Sequence, residues 1–261
     1  MAKKRNSRRR ARGRLVPLLR VLSIFLTAVV IVAALTLFFT VQQISVSGND
    51  RYSTEKIIEV CGVVQGDNLI LLDKYAIAQR LYTELPYITD VRINRAFPDG
   101  LTVEVTETRA TLAVEGDGVW WLVSETGKIV DKTDAEEAEY YVMLHGLTAQ
   151  DGAIGAPLTL SEEGSMSTER LKELVTALGK RGMLDKTQSI DASDPQILVL
   201  KYARRFDVEL YYTADFAYKL DCLDAVVKEL EPNETGIIRM TMDDENEVRL
   251  IPYHRQELPS A

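Results

Sequence analysis

The sequence predicts an α+β protein. A single N-terminal transmembrane helix comes first, then a small domain of two helices packed on a sheet, and then a mixed β-domain with two helices. Three observations lead to this prediction. One long uncharged, apolar run occurs, at residues 21–41. After it, several short segments alternate apolar and polar residues, which is the period of a β-strand. Between those segments, apolar residues recur at the spacing of a helix face.

The charge of the chain is unevenly distributed. Residues 1–20 carry nine Lys and Arg and no acidic residue, so the remaining residues hold 22 basic and 39 acidic side chains, a net of −17. Two cysteines in 261 residues exclude a disulfide scaffold. An apolar content of 46% excludes a disordered chain. A single uncharged run excludes a polytopic transporter.

Residues 21–41 are predicted to span the membrane. A helix rises about 1.5 Å per residue and the hydrocarbon core is about 30 Å thick, so about 20 residues are needed. The basic tail, residues 1–20, should stay in the cytoplasm, which places everything after Val41 outside it. The tail is expected to contact the lipid bilayer rather than nucleic acid. The alternative is a cleaved signal peptide with its cleavage site near Ser45–Ser47, but the apolar run is longer than such peptides use.

Residues 42–109 are predicted to form the small domain. The segment from Ile44 to Val46 is expected to be a short strand. Ser53 and Asp73 are expected to cap two helices, because their side chains can accept hydrogen bonds from the first helical N–H groups. Two alternating segments joined by the turn at Phe97–Gly100 predict a hairpin whose buried face the helices cover.

Residues 110–253 are predicted to form the mixed β-domain, and residues 254–261 a short tail. Strands are expected on both sides of a loop, residues 146–166. Thr168 is expected to begin one helix, and Asp215 to cap another. The apolar stripe of this last helix is Phe216, Leu220, Leu223, Val227 and Leu230.

No motif for catalysis or metal binding occurs in the sequence. The two histidines, His145 and His254, lack a neighbouring nucleophile, and the acidic run at 243–247 lacks the ligand spacing of an EF-hand. The sequence therefore predicts no enzyme activity, no cofactor, no metal, no small-molecule substrate and no nucleic acid. Cys61 and Cys222 are expected to be buried free thiols, with a disulfide as the alternative.

Several short motifs occur in a specific order after the basic tail and the apolar run. They are Ile44-Ser45-Val46-Ser47-Gly48-Asn49, Gly66-x-Asn68-Leu69, Leu85-Pro86-Tyr87-Ile88, Phe97-Pro98 and Val105-x-Glu107. This order and spacing resembles the FtsQ/DivIB family of bacterial cell-division proteins. One departure occurs at Glu107–Ala110, where the family often has Glu-Arg-x-Pro. The positions of the motif expected to be structural are Gly48, Asn49, Gly66, Asn68, Pro86 and Pro98.

The resemblance implies a fold and a function. Residues 42–109 would be a POTRA domain of the FtsQ type. The protein would be a non-catalytic, single-pass type II scaffold of the divisome in the cell membrane, concentrated at the division septum. Its partners would be DivIC/FtsB-like and FtsL-like division proteins. The alternatives are a membrane-anchored extracytoplasmic cell-wall enzyme and a POTRA-type polypeptide chaperone.

The resemblance also implies a binding site. In that family, the partner adds a strand to the C-terminal strand region, and edge strands can accept such an addition. The residues implicated here are Ile238, Arg239, Met240, Thr241, Val248, Arg249, Leu250 and Ile251. Replacing Met240 or Arg249 by proline is expected to abolish binding, because proline lacks the N–H donor. The acidic turn at 243–247 predicts a basic partner segment. The alternative is that both strands only complete the sheet.

Overall fold

The computed structural model describes residues 12–161, 166–240 and 249–253. The described residues fall into two compact units. The first contains the chain up to Leu81 together with Asp90–Thr106, and the second contains Tyr82–Thr89 together with the chain from Glu107 onward. Each unit has its own sheet.

Residues 12–107 contain three helices and three strands. They are α1 (Arg12–Phe38), β1 (Gln43–Ser47), α2 (Thr54–Cys61), α3 (Lys74–Glu84), β2 (Ile88–Ala96) and β3 (Gly100–Glu107). The strand order is β1-β3-β2, so β3 is central. β2 and β3 are neighbours in the sheet, as the predicted hairpin requires. β1 runs parallel to β3, with Ile44 opposite Leu101.

The first helix, α1, ends at Phe38 and does not continue to the end of the uncharged run. Val41 is buried, and its N–H donates to the carbonyl oxygen of Asp67 over 2.8 Å, so this residue belongs to the packed part of the first unit. The side chains of residues 19–34 are exposed. No helix among the described residues is both long enough and apolar enough to span a membrane.

The two short helices of the first unit begin as the sequence predicts. The Ser53 hydroxyl accepts the N–H of Lys56 over 3.1 Å, and Asp73 accepts the N–H of Ala76 over 3.1 Å. Gly62 ends α2 with φ at 63°, a conformation that glycine adopts without steric cost. Fully buried side chains of this unit include Ile57 and Cys61 of α2, Ile77 and Leu81 of α3, and Leu101 and Val103 of β3.

The second unit is a nine-stranded sheet with helices. Its elements are β4 (Ala110–Gly116), β5 (Val119–Ser124), β6 (Ile129–Thr133), α4 (Ala135–Ala138), β7 (Val142–His145), α5 (Thr168–Lys180), a 3-10 turn (Leu184–Lys186), β8 (Thr187–Asp191), β9 (Ile197–Tyr202), β10 (Phe206–Tyr211), α6 (Phe216–Glu229), β11 (Gly236–Arg239) and β12 (Arg249–Pro252). The strand order is β12-β11-β10-β9-β8-β7-β4-β5-β6. The helices α5 and α6 contact each other.

Helices α5 and α6 bury their apolar stripes in one hydrophobic core with the sheet. Asp215 caps α6 by accepting the N–H of Tyr218 over 3.1 Å, as expected. The guanidinium group of Arg170 lies 4.2 Å from the ring centre of Phe216, so α5 also holds the first turn of α6. Of the predicted α6 stripe, Phe216, Leu220 and Leu223 are fully buried, while Val227 and Leu230 are half-buried.

Two details, at β8 and at Cys222, differ from the sequence-based expectations. The strand β8 was not expected, because its only large apolar residue is Ile190. Both cysteines are free, as expected, but Cys222 is half-buried rather than buried. Of the two adjacent tryptophans, Trp121 is in the core, whereas Trp120 contacts the ring of His145 edge to face.

Candidate partner-binding edge

The strand β12 is an edge of the nine-stranded sheet. It pairs with β11 in antiparallel register, with Ile238 opposite Leu250 and Arg239 opposite Arg249. On its other side, β11 pairs in parallel with β10. The two strands implicated by the sequence therefore differ in position. Among the described strands, β11 has a neighbour on both sides and β12 has one on a single side only.

Hydrogen bonds show which backbone groups of β12 face outward. The N–H of Tyr253 donates to the carbonyl oxygen of Thr235 over 3.4 Å, so this pair faces inward. Because the direction alternates along an antiparallel pair, Arg249 and Ile251 also face β11, and Leu250 faces the open edge. Pro252 faces outward too but has no N–H. The described edge therefore offers the N–H of Leu250 and the carbonyl groups of Leu250 and Pro252.

Side chains on the two faces of this edge have different environments. Ile238 and Met240 are buried in the core of the second unit, and Leu250 is half-buried against it. Ile251 points away from that core and is 37% exposed. Nε of Arg239 lies 2.7 Å from the carboxylate of Glu209, which links β11 to β10. Two other residues that the sequence implicated, Thr241 and Val248, lie outside the described residues.

A glycine allows β12 to approach β11 closely. At Gly236, an added Cβ would overlap the carbonyl oxygen of Ile251 and lie 2.9 Å from the Cα of Pro252. The N–H of Gly236 points away from β12 and donates to the carbonyl oxygen of Arg205 over 3.1 Å. Sequence reasoning missed this position, although a glycine at the start of an alternating strand is a signal for close backbone approach.

A cationic groove of about 380 Å³ adjoins the end of β12. Lys201, Arg204, Arg205 and Tyr253 line it together with Asp207. Arg205 is held in place, because its Nε donates to the carbonyl oxygen of Glu234 over 2.9 Å. Burial, and then a hydrogen bond to Asp207, raise the pKa of Tyr253 to about 12, so its hydroxyl is neutral at physiological pH. Sequence reasoning missed this groove, although the cluster of cations at residues 201–205 was visible.

The glycine and asparagine positions of the predicted POTRA motif form turns in the first unit. Gly48 and Gly66 have φ of 81° and 96°, which favours glycine. Asn49 donates from Nδ2 to the carbonyl oxygen of Tyr52 over 2.9 Å, and Oδ1 of Asn68 accepts two N–H groups of the following turn. Pro86 follows α3 and Pro98 precedes β3. The two glycines and two asparagines therefore have a structural role, because each stabilises the backbone of a turn.

The described residues also bear on catalysis and metal binding. That part contains no group of three or more His, Cys, Asp and Glu able to hold a metal ion. His145 lies opposite Asp191 in the sheet. Hydrogen bonds from Ser193 hold the pKa of the Asp191 carboxyl below its usual value. The backbone N–H of Ser193 donates to Oδ1 of Asp191 over 2.9 Å. His254 lies outside the described residues.

Comparison with known proteins agrees with the features of the first unit. The family model "POTRA domain, FtsQ-type" matches residues 39–108. A cell division protein DivIB of Clostridium tetani is 22% identical over 63% of this chain and 61% of its own length. A cell division protein FtsQ of Corynebacterium glutamicum is 38% identical over 30% of this chain and 36% of its own. A DivIB of Brevibacillus brevis is 26% identical over 91% of this chain and 85% of its own.

The extent of these matches differs between relatives. The chain spans about three fifths of the Clostridium tetani protein and about a third of the Corynebacterium glutamicum protein. The residues 39–108 that the family model matches contain the turns formed by Gly48, Gly66 and Asn68. The predicted resemblance is therefore confirmed: the chain carries a POTRA domain of the FtsQ type and is similar to the FtsQ/DivIB cell-division proteins.

Proposed function

We propose that the chain is a non-catalytic membrane scaffold of the bacterial divisome, which binds other division proteins at the septum. Its relatives are named cell division proteins, and its first unit carries an FtsQ-type POTRA domain. The observation that carries the proposal is the open edge at β12, because an edge strand can accept a strand from another chain.

The proposal includes a membrane anchor at residues 21–41. The nine cations of residues 1–20 support a cytoplasmic N-terminus, and the large acidic part of the chain would then lie outside the cytoplasm. Such an anchor confines the protein to the membrane plane and raises its effective concentration near other anchored proteins. A fusion of alkaline phosphatase after Ala261 tests this topology. We expect an active fusion, and an inactive fusion would contradict the proposed orientation.

The proposed partners are DivIC/FtsB-like and FtsL-like division proteins. A segment of the DivIC/FtsB-like protein would pair with β12. The N–H of Leu250 and the carbonyl groups of Leu250 and Pro252 would supply the hydrogen bonds on this side. Because Pro252 has no N–H, the ladder lacks one donor at that position. The FtsL-like protein would join the same assembly.

The groove beside Tyr253 supports a charge preference for the partner. Lys201, Arg204 and Arg205 line it against one carboxylate, that of Asp207. We therefore propose that the added segment places an acidic side chain here. The sequence also predicts a basic partner segment opposite the acidic run at 243–247. That run lies outside the described residues, so this pairing stays a prediction.

The register changes the choice of test variants. The N–H of Met240 donates to Glu209 over 2.9 Å within the sheet, and the N–H of Arg249 faces β11. Proline at either position removes an internal hydrogen bond, so loss of binding there would not identify the edge. Leu250→Pro removes the outward donor instead. Leu250→Ala is the matched control, since it loses most of the same side chain but keeps the N–H.

The assay is purification of the tagged full-length chain from its own cells after crosslinking, followed by mass spectrometry of the captured proteins. We expect the unsubstituted chain and Leu250→Ala to capture bitopic division proteins, and Leu250→Pro to lose them. Thermal unfolding of both variants reports whether the sheet survives. If a folded Leu250→Pro chain captures the same proteins in the same yield, strand addition at β12 is wrong.

A further inference from the structure

An exposed row of aromatic rings lies where α1 ends. Phe38, the last residue of α1, contacts Phe39 edge to face with ring centres 5.4 Å apart. Phe39 contacts Phe97 in the same way over 5.3 Å. Phe38 and Phe97 are 66% and 60% exposed. The two outer rings of this row therefore present apolar surface to the surroundings.

A turn of the first unit is attached to this row through its backbone and carries further exposed apolar side chains. The N–H of Leu69 donates to the carbonyl oxygen of Phe39 over 2.9 Å, which attaches the turn to the row. The next two residues, Ile70 and Leu71, are 41% and 74% exposed. The guanidinium group of Arg95 donates to three carbonyl oxygens of the same turn, one of them that of Leu69 over 2.6 Å. The turn is thus fixed by hydrogen bonds while its apolar side chains remain exposed.

We propose that this surface inserts into the interfacial region of the lipid bilayer and seats the first unit on the membrane. The surface consists of Phe38, Phe39, Ile70, Leu71 and Phe97, and is called the interfacial patch below. An exposed apolar patch of several large side chains marks an interaction site. The inference rests on the membrane anchor of the proposed function.

The bilayer is chosen as the occupant because the patch is continuous with α1. The described side chains of α1 at residues 19–34 are exposed, most of them are apolar, and the patch begins at Phe38, the last residue of the same helix. Aromatic rings are enriched at the level of the lipid headgroups, where an anchoring helix leaves the membrane. If α1 is the anchor, Phe38 occupies that level, and the rest of the patch is linked to it through Phe39.

Insertion would give the first unit two attachments to the membrane. With the helix as its only attachment, the unit could tilt about the end of α1 at Phe38. A second contact through Phe97 and the turn at residues 69–72 would remove this freedom. A surface of this kind penetrates about 5–10 Å into the boundary between headgroups and acyl chains.

The test uses the full-length chain in vesicles of phosphatidylcholine and phosphatidylglycerol, with bromine on the upper acyl chain as a fluorescence quencher. Phe97→Trp places the probe in the patch. Tyr75→Trp is the matched control, because Tyr75 is 82% exposed and lies on α3 outside the patch. The signal of Trp120 and Trp121 is subtracted with the unsubstituted chain. We expect at least about twofold stronger quenching at residue 97 than at residue 75.

A second measurement avoids any substitution. Hydroxyl-radical labelling of the unsubstituted chain, normalised to the urea-unfolded chain, compares Leu71 with Tyr75, which are similarly exposed in the structure. We expect vesicles to protect Leu71 and to leave Tyr75 reactive. Equal quenching at residues 75 and 97, or equal labelling of Leu71 and Tyr75, would overturn the proposal.

Extraction with sodium carbonate separates the two proposals. A chain that stays in the vesicles but shows neither quenching nor protection at the patch refutes the patch and leaves the anchor standing. A chain that carbonate releases refutes both. If the patch binds a protein instead of lipid, pure lipid vesicles give no quenching at residue 97, and the lipid assignment is wrong.

Discussion

Replacing Gly236 by alanine should detach β12 from the sheet. The new Cβ would overlap the carbonyl oxygen of Ile251 and lie 2.9 Å from the Cα of Pro252. Both neighbours are backbone atoms, so no flexible side chain can move aside. The strand β12 must therefore shift, or the hydrogen bonds between β11 and β12 must break.

The expected size of the effect follows from how weakly β12 is held. The register gives about five hydrogen bonds to β11 and Thr235, each with a net contribution of about 0.5–1.5 kcal/mol. Ordering each residue costs about 1–2 kcal/mol of backbone entropy, which over the whole strand equals or exceeds this gain. The remaining attachment comes from the half-buried Leu250 and the partly exposed Ile251. A backbone overlap is therefore enough to open the strand.

Hydrogen exchange of the full-length chain, read by mass spectrometry, measures this opening. We expect the peptide containing residues 249–253 to lose protection by at least about tenfold, which corresponds to 1.4 kcal/mol. Amides of α5 and of the first unit should keep theirs. Partner capture should fall in parallel with the loss of β12.

The matched control is Gly179→Ala in the same unit. There the new Cβ lies 3.0 Å from a carboxylate oxygen of Glu125 and 3.3 Å from a methyl group of Leu184, and both can move. Gly179 is in α5, so alanine should stabilise the helix by up to about 1 kcal/mol. Unchanged protection of residues 249–253 in Gly236→Ala would refute the reasoning about close backbone approach.

Three further predictions concern stability. Asp215→Ala should lower the free energy of unfolding by about 1 kcal/mol, because the N–H of Tyr218 loses its acceptor, whereas Asp215→Asn should restore most of it; denaturant titration checks both. Leu223→Ala should cost about 2–5 kcal/mol in the same titration, since Leu223 is fully buried in α6. Burial raises the pKa of the Cys61 thiol from 9.0 to about 11, so stability should be constant below pH 9 and fall as the pH rises to 11. Cys61→Ala should remove this loss, and an unchanged pH profile in that variant would exclude Cys61 as its cause.

Local chemistry made much of the fold predictable. The caps at Ser53 and Asp215 use side-chain oxygens a few residues from the N–H groups that they accept, so the sequence contains the whole interaction. The apolar stripe of α6 was also predictable, because a spacing of three and four residues places side chains on one face of a helix. Such features depend on neighbours along the chain.

Features that depend on distant segments were not predictable in the same way. In β8, Thr187 and Ser189 take buried positions that usually hold apolar residues, so alternation gave no signal. The parallel pairing of β1 with β3 joins segments more than 50 residues apart. The local sequence does not show whether a short polar strand is buried, or which other strand it pairs with.

For the candidate site too, the local sequence predicted some features and left others undetermined. Sequence reasoning named Leu250 and Ile251, and the structure places both in the edge strand. It could not tell which N–H groups face outward, because that depends on the pairing with β11. Proline at Met240 or Arg249 was therefore the wrong test of the edge, since the N–H group of each faces another strand of the sheet.

The position of β12 in the chain has a consequence for biosynthesis. A ribosome makes the eight other strands of the sheet first, and domains fold progressively as the chain emerges. Until residues 249–252 are available, β11 is the exposed edge, and its outward N–H groups belong to Ile237 and Arg239. A partner segment that arrived then would occupy the place of β12 itself. If the proposed strand addition occurs, its surface would therefore exist only after β12 has joined the described sheet.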